Sequence, residues 1–238
     1  MRRHQSLLDD VWIVVPCYNE ERVLREVLAE LVEAFPHVAL VDDASQDQSP
    51  LIARATRGVS LVEHPINLGQ GAAIGTGLAY ALLDPSCRRL VTFDADGQHK
   101  VADALAMVER LGEQDDEGRA IEVVLGTRFG LGRVGRMGLM RRLLLRGAVA
   151  HTRLTTRLKV TDAHNGLRAM TREVAERLDL RQTGMAHASE ILQQIAAAGF
   201  AWAEHPVDIR YTRYARKKGQ PALNAVNILV DLSLRPRP

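Results

Sequence analysis

The stretch Asp94-Ala95-Asp96-Gly97-Gln98-His99 concentrates the chemistry of this chain. Two carboxylates one residue apart follow an apolar run over residues 89–93; an extended chain puts them on the same side, and Gly97 lets the backbone turn and expose them. Two hard oxygen donors beside the Gln98 amide suit Mg²⁺ or Mn²⁺, ions that keep waters and take their other ligands from substrate phosphates. Such a site calls for a diphosphate. The plainer alternative is that Asp94 caps the next helix and Asp96-Gly97 only makes a turn. Other strand ends favour the metal reading. Pro16-Cys17-Tyr18-Asn19-Glu20, Val41-Asp42-Asp43-Ala44-Ser45 and Asn67-Leu68-Gly69-Gln70-Gly71-Ala72-Ala73 each follow an apolar run. Singly these residues pack or cap helices; jointly they outline one crevice.

The elements behind these segments follow from hydrophobic periodicity. Residues 11–15 form a β-branched strand closed by Pro16. Val23, Leu24, Val27, Leu28, Leu31 and Phe35 recur at helical spacing, with Glu21, Arg22, Arg25, Glu26, Glu30 and Glu33 on the other face. Strands are expected at 38–41, 59–62, 89–93 and 121–125, and helices at 46–57 (capped by Ser45), 71–83 and 101–111. This alternation predicts an α/β fold, a mostly parallel central sheet flanked by helices, whose ligands collect at the carboxyl ends of the strands. Beyond residue 126 the rhythm weakens. An Arg-rich segment leads to a loop over 162–168, a helix at 186–198, a strand at 201–209 and a last helix near 224–232. No repeat or linker interrupts the chain, so one domain over 1–238 is expected.

Composition limits the alternatives. The 238 residues are 46% hydrophobic and 25% charged, with 18 Gly and 9 Pro, which excludes disorder, collagen and coiled coil. Thirty-one Lys plus Arg against 29 Asp plus Glu give +2, too balanced for a general polyanion binder, so no nucleic-acid partner is expected. Cys17 and Cys87 both sit near apolar runs and read as structural. Residues 1–10 carry no apolar stretch of a secretory signal, and the longest charge-free stretch, 65–83, is too rich in Gly, Asn and Gln to span a bilayer.

In that order and spacing, P-C-Y-N-E, V-D-D-A-S, N-L-G-Q-G-A-A-I, D-A-D-G-Q-H and G-T-R (126–128) resemble the family-2 glycosyltransferases of GT-A fold. The resemblance is nearest to polyprenyl-phosphate sugar synthases of the dolichyl-phosphate mannosyltransferase type, and it is close over residues 11–130. It implies a Rossmann-like nucleotide-sugar half followed by a mixed α/β acceptor-side half over 131–238. The implied reaction is inverting, metal-dependent transfer of a sugar from a UDP- or GDP-linked donor to a membrane-associated acceptor, foremost polyprenyl phosphate. Alternatives are a glycan hydroxyl acceptor, or a non-catalytic nucleotide-sugar-binding partner of a membrane protein.

Carried over, Pro16, Tyr18, Glu20, Val41 and Asp43 line the base and ribose pocket, and Gly71 and Ala95 lie against the donor. Asp94, Asp96 and Gln98 hold Mg²⁺ or Mn²⁺. Arg128 and Arg133 face phosphate, and Asp162, Arg168, Arg216 and Lys218 belong to the acceptor side. The catalytic set is Asp96, Arg128 and Glu190. A departure follows Arg216-Lys217-Lys218-Gly219: Gln220-Pro221-Ala222 stands where the lipid-phosphate enzymes place a serine and a lysine. Some of those enzymes also end in membrane helices. None is seen here, so peripheral attachment to the cytoplasmic face of the membrane is expected, directly or through a small membrane protein.

Three further features bear on the acceptor and on rivals. Residues 123–161 hold no Asp or Glu but nine fixed positive charges, interleaved with Leu139, Met140, Leu143, Leu144, Leu145 and Val149. At helical pitch this suits an anionic membrane or a lipid phosphate. Glu190, near a helix start, is a general base only if the nucleophile is a hydroxyl, because a phosphate acceptor is already an anion. Finally, 69–75 approximates a dinucleotide fingerprint, with Asp94 following Gly75 by 19 residues. Residues 63–68 separate it from the preceding strand, and a dehydrogenase leaves Asp42, Asp43 and Asp96 without roles.

Overall fold

The computed structural model describes residues 8–128, 158, 160–162, 165–182, 184 and 186–210. Residues 129–157 and 159 of the expected basic segment over 123–161, Arg133 among them, the 216–219 cluster and the 224–232 helix lie outside the described residues. Among the described residues, seven strands form one sheet in the order β3-β2-β1-β4-β6-β5-β7. These are β1 (Val11–Cys17), β2 (His37–Asp42), β3 (Val59–Glu63), β4 (Arg89–Thr92), β5 (Val123–Thr127), β6 (Arg168–Thr171) and β7 (Trp202–Pro206). All neighbours are parallel except β6, which runs antiparallel between β4 and β5. The helices are α1 (Glu21–Ala34), α2 (Ser49–Ala55), α3 (Gln70–Leu82), α4 (Val101–Glu109), α5 (Arg172–Arg177) and α6 (His187–Ala198). Among the described residues no helix is long and apolar enough to cross a membrane.

The sequence reverses its direction of winding between β1 and β4, which are neighbours although two strands separate them in the chain. A crevice opens at such a switch point, beyond the carboxyl ends of both strands. The unbroken apolar run explains why β1 is buried along its whole length, on both faces of the sheet. One side of the sheet packs Leu24, Leu28 and Leu31 of α1 with Ala104 and Met107 of α4. The other packs Ile74 and Leu78 of α3 with Ile191 and Ile195 of α6. Burial pushes the Cys17 thiol up to about 12 and the Cys87 thiol up to about 11, so both stay protonated and inert.

Three expectations change. The first strand does not stop before Pro16 but continues through Pro16↔Val41 and Cys17↔Asp42. Val14 O accepts from Phe93 N while Cys17 O accepts from Asp43 N, so the missing N–H of Pro16 faces the side where β4 has already ended. Ser45 does not cap a helix beginning at 46: α2 starts at Ser49, and the Ser45 hydroxyl accepts from Asn19 N–H at 2.9 Å. The expected 162–168 loop runs into β6 at Arg168, a four-residue strand too short to show a period.

Gly77 is fixed by packing. A methyl group there would overlap Val14 Cγ1 and sit 3.2 Å from Val41 Cγ2, where α3 crosses β1 and β2. Gly77→Ala gains about 1 kcal/mol of helix propensity, and overpacking against two stiff valines costs about 1–3 kcal/mol. The variant is expected to melt below the wild type in thermal denaturation; an unchanged or higher midpoint contradicts this packing.

Candidate active site

The crevice is built from the loops after β1, β2, β3 and β4. Asn19 and Ala44 hold positive φ values of 55° and 61°, so adjacent strand ends carry backbone strain. Side chains lace them together. Gln46 N–H donates to Asn19 Oδ1 at 2.8 Å and Glu20 N–H to Ser49 Oγ at 2.9 Å. Pro16 and Val41 are buried opposite each other in β1 and β2, Glu20 is buried behind them, and Tyr18 stands at the rim, 41% exposed.

Asp43 is the clasp of the next loop. Its buried carboxylate accepts the backbone N–H groups of Leu68 at 2.8 Å and Gly69 at 2.7 Å. The imidazole Nδ1 of His64 lies 2.8 Å away, and Nε2 of the same ring reaches Thr76 Oγ1 at 2.9 Å. This fixes Gly69, at φ 94°, as the entry to α3, and with it the next residue, Gln70. Gln70 Nε2 donates to Asp94 Oδ1 at 2.9 Å. Asp43 and Asp94 are therefore joined through one short loop. Gly71 is held tighter still, since a Cβ there would overlap the Gln182 carbonyl.

Asp94 and Asp96 lie just past β4, half-buried and on adjoining ground. Burial opposes ionisation of Asp94, but the His99 hydrogen bond, with the charges of His99, Arg168 and His187, outweighs it and holds the carboxyl below its ordinary value. Burial raises Asp96, the Asp94 charge raises it further, and the Gln98 N–H bond only partly offsets both. His99 Nδ1 is buried without a partner, and Nε2 of the same ring faces Asp94 Oδ2 at 3.1 Å, where the carboxylate accepts. The Gln98 amide nitrogen donates to Asp96 Oδ2, and Gln98 N–H to Asp96 Oδ1 at 3.0 Å. Among the described residues no group of three or more His, Cys, Asp or Glu is arranged around one point. Two carboxylates with hard oxygen donors, one of which raises the cost of ionising the other, nevertheless fit a divalent cation that shares its shell with a ligand's phosphates.

Arg128 is gripped by Asp162: Nε to Oδ2 at 2.6 Å, Nη2 to Oδ1 at 2.7 Å, and backbone N–H to Oδ2 at 3.2 Å. Glu204 of β7 accepts from Thr161 N–H at 2.6 Å, Thr161 Oγ1 at 2.8 Å and Asp162 N–H at 3.4 Å. Asp162, expected on the acceptor side, thus positions Arg128. Arg168, expected to meet phosphate, is 2% exposed in β6. Glu190 accepts Gln182 N–H at 2.9 Å and Arg181 N–H at 3.1 Å, which holds the 181–182 loop over Gly71. Ala95 is buried.

Sequence reasoning missed four contributors. Gln70 and His99 lay inside quoted motifs without roles. Asp42 Oδ2 accepts from Ser45 N–H at 3.0 Å, while its Oδ1 is buried with no hydrogen-bond partner. Glu204 had no signal at all in the sequence.

Strand ends that converge on a carboxylate pair at the switch point of this sheet define a glycosyltransferase of the GT-A class. The chain belongs to glycosyl transferase family 2, whose family model matches residues 12–179. It is 27% identical over 244 residues to the UDP-N-acetylglucosamine–dolichyl-phosphate N-acetylglucosaminyltransferase of Methanococcus voltae, covering 93% of this chain and 94% of that protein. Identity to the polyprenol monophosphomannose synthase of Mycolicibacterium smegmatis is 28% over 231 residues, 91% of this chain and 82% of that one. The Mycobacterium tuberculosis glucosyl-3-phosphoglycerate synthase, solved with Mn²⁺, UDP and phosphoglyceric acid, superposes with a TM-score of 0.67 at 20% identity. That match covers 95% of this chain and 79% of the synthase.

The two carboxyls have opposite linkage to pH. Asp94, held low, contributes stability that is lost as pH falls; Asp96, held high, costs stability as pH rises through its raised value. A bound cation needs both ionised. The increase in melting temperature produced by Mn²⁺ is therefore expected to grow from about pH 4 to about pH 7. An increase that is the same at both pH values contradicts cation binding at this pair.

Proposed function

We propose that this glycosyltransferase moves a sugar from a nucleoside-diphosphate sugar to a polyprenyl phosphate at the cytoplasmic face of a membrane, with inversion and with Mg²⁺ or Mn²⁺. The observation that carries this is the Asp94–Asp96 pair, half-buried just past β4 at the switch point where β4 lies beside β1. The relatives' lipid-phosphate acceptors support the acceptor class.

In this reading Tyr18, Pro16, Glu20 and Val41 frame the base and ribose. The buried, unpartnered Asp42 Oδ1 accepts a base N–H, a group that uracil and guanine both offer. Asp43 acts through the loop it clasps, bringing Gln70 and Gly71 to the donor. Asp94, Asp96 and the Gln98 segment would hold the cation, which would supply positive charge to the leaving diphosphate. Arg128, aimed by Asp162, stabilises the same developing charge or the incoming phosphate. Arg133, Arg216 and Lys218 complete the acceptor side. The acceptor oxygen forms its bond to the anomeric carbon as the bond to the diphosphate breaks, so the sugar inverts.

Glu190 favours the phosphate acceptor over a hydroxyl. Its carboxylate is occupied by two backbone N–H groups, the work of a loop anchor. Incubation with UDP- and GDP-sugars, Mn²⁺ and polyprenyl phosphate is expected to release nucleoside diphosphate, and Glu190→Gln to slow turnover less than tenfold. A loss on the order of 10²–10⁴ is the signature of a missing general base and contradicts the phosphate acceptor.

A further inference from the structure

Arg168 is an anomaly of burial. It opens β6, opposite Thr92 of β4 and Leu125 of β5, in the middle of the sheet. It is 2% exposed, and its Nη1 has no hydrogen-bond partner. A guanidinium in such a place is retained only where anions compensate it, because desolvation of an isolated charge is costly. Two carboxylates do so. Asp94, two residues beyond Thr92, and Asp162, the grip of Arg128, both stabilise its charge against burial. The segment between these anions is built to the same end. Thr92 Oγ1 donates to the Gly166 carbonyl at 2.7 Å, and a Cβ at Gly166 would overlap the Asp94 carboxylate. Asn165 Oδ1 accepts from Leu167 N–H at 2.9 Å, and Gly126 N–H donates to Leu167 O at 3.0 Å, which fixes the approach to β6 from both sides.

We propose that Arg168 is a positioning residue that joins the carboxylate pair and the Arg128 clamp into one electrostatic unit, setting donor-diphosphate affinity from behind the site without touching the ligand. Its burial separates this from an acceptor contact: a group 2% exposed has no face for a lipid phosphate. Loss of the guanidinium removes the charge that holds the Gly166–Arg168 segment against the Asp94 carboxylate, so Asp94 is no longer held in one orientation for a cation and its diphosphate. The inference rests on the nucleotide-sugar reading above and adds to it a residue and a direction of effect.

The test is calorimetric titration of UDP and of GDP, each with MnCl₂ and without acceptor, into wild type, Arg168→Met, Arg168→Lys, Asp94→Asn and the double variant Asp94→Asn/Arg168→Met. Outer-shell partners of metal sites typically contribute about 10–100-fold in affinity, and that loss is expected in Arg168→Met with most of it recovered in Arg168→Lys. The double variant is expected to bind no more weakly than Asp94→Asn alone. Affinity in Arg168→Met within twofold of wild type, or losses in the two single variants that multiply in the double, overturns the proposal. Thermal melting of the same set gives a second reading. Removing both charges is expected to restore part of the stability lost in Arg168→Met, and a double variant as unstable as the two losses added overturns the proposal. Should wild type bind neither nucleotide with Mn²⁺, the donor reading fails, and the melting cycle still decides whether Arg168 and Asp94 act together.

Discussion

Two carboxylates of like charge stand side by side at the end of β4, and the rest of the crevice is organised around making that tolerable. Water alone would screen them, yet the site half-buries both, so burial and mutual repulsion push Asp96 toward its protonated form. Asp94 stays ionised because donors surround it: the Gln70 amide, the His99 ring, and the Arg168 charge behind it. The asymmetry matters. In the proposed function, the carboxylate held low and the one held high would both be compensated by a cation, and that gain would help orient a diphosphate.

That arrangement depends on elements far apart in sequence. Asp43 follows β2 and clasps the loop after β3, which delivers Gln70 to Asp94 after β4. The 181–182 loop, anchored by Glu190 of α6, closes over Gly71 at the start of α3. Glu204 in β7 holds Thr161 and Asp162, and Asp162 holds Arg128 after β5. Each contact is an ordinary hydrogen bond worth about 0.5–1.5 kcal/mol, or up to about 3 where a charge takes part. Their joint effect is geometric, because each loop is fixed by a side chain from another part of the chain.

The parallel half of the fold was legible because its strands are apolar runs ended by Pro, Asp and Gly, and its helices keep a clean period. The Asp94–Asp96 pair was legible for the same reason: hydrophobicity stops abruptly there. What escaped were features set by tertiary partners. β6 begins with a buried arginine and spans four residues, so local propensity carries no trace of it. Asp43 and Glu190 were recognised as important, but the sequence could not say that each spends its oxygens on backbone N–H groups of distant loops. Nor could it mark Glu204, an acid in an otherwise unremarkable strand, as the anchor of the arginine clamp.

The central claim is that Asp94 and Asp96 share a divalent cation with the diphosphate of a nucleotide donor. Anomalous diffraction at the manganese edge, from crystals grown with Mn²⁺ and UDP or GDP, locates that ion directly. A single strong peak between the two carboxylates and the bound diphosphate is the result the account predicts. A nucleotide seated in the crevice with manganese elsewhere, or with both carboxylates turned away from it, would contradict it.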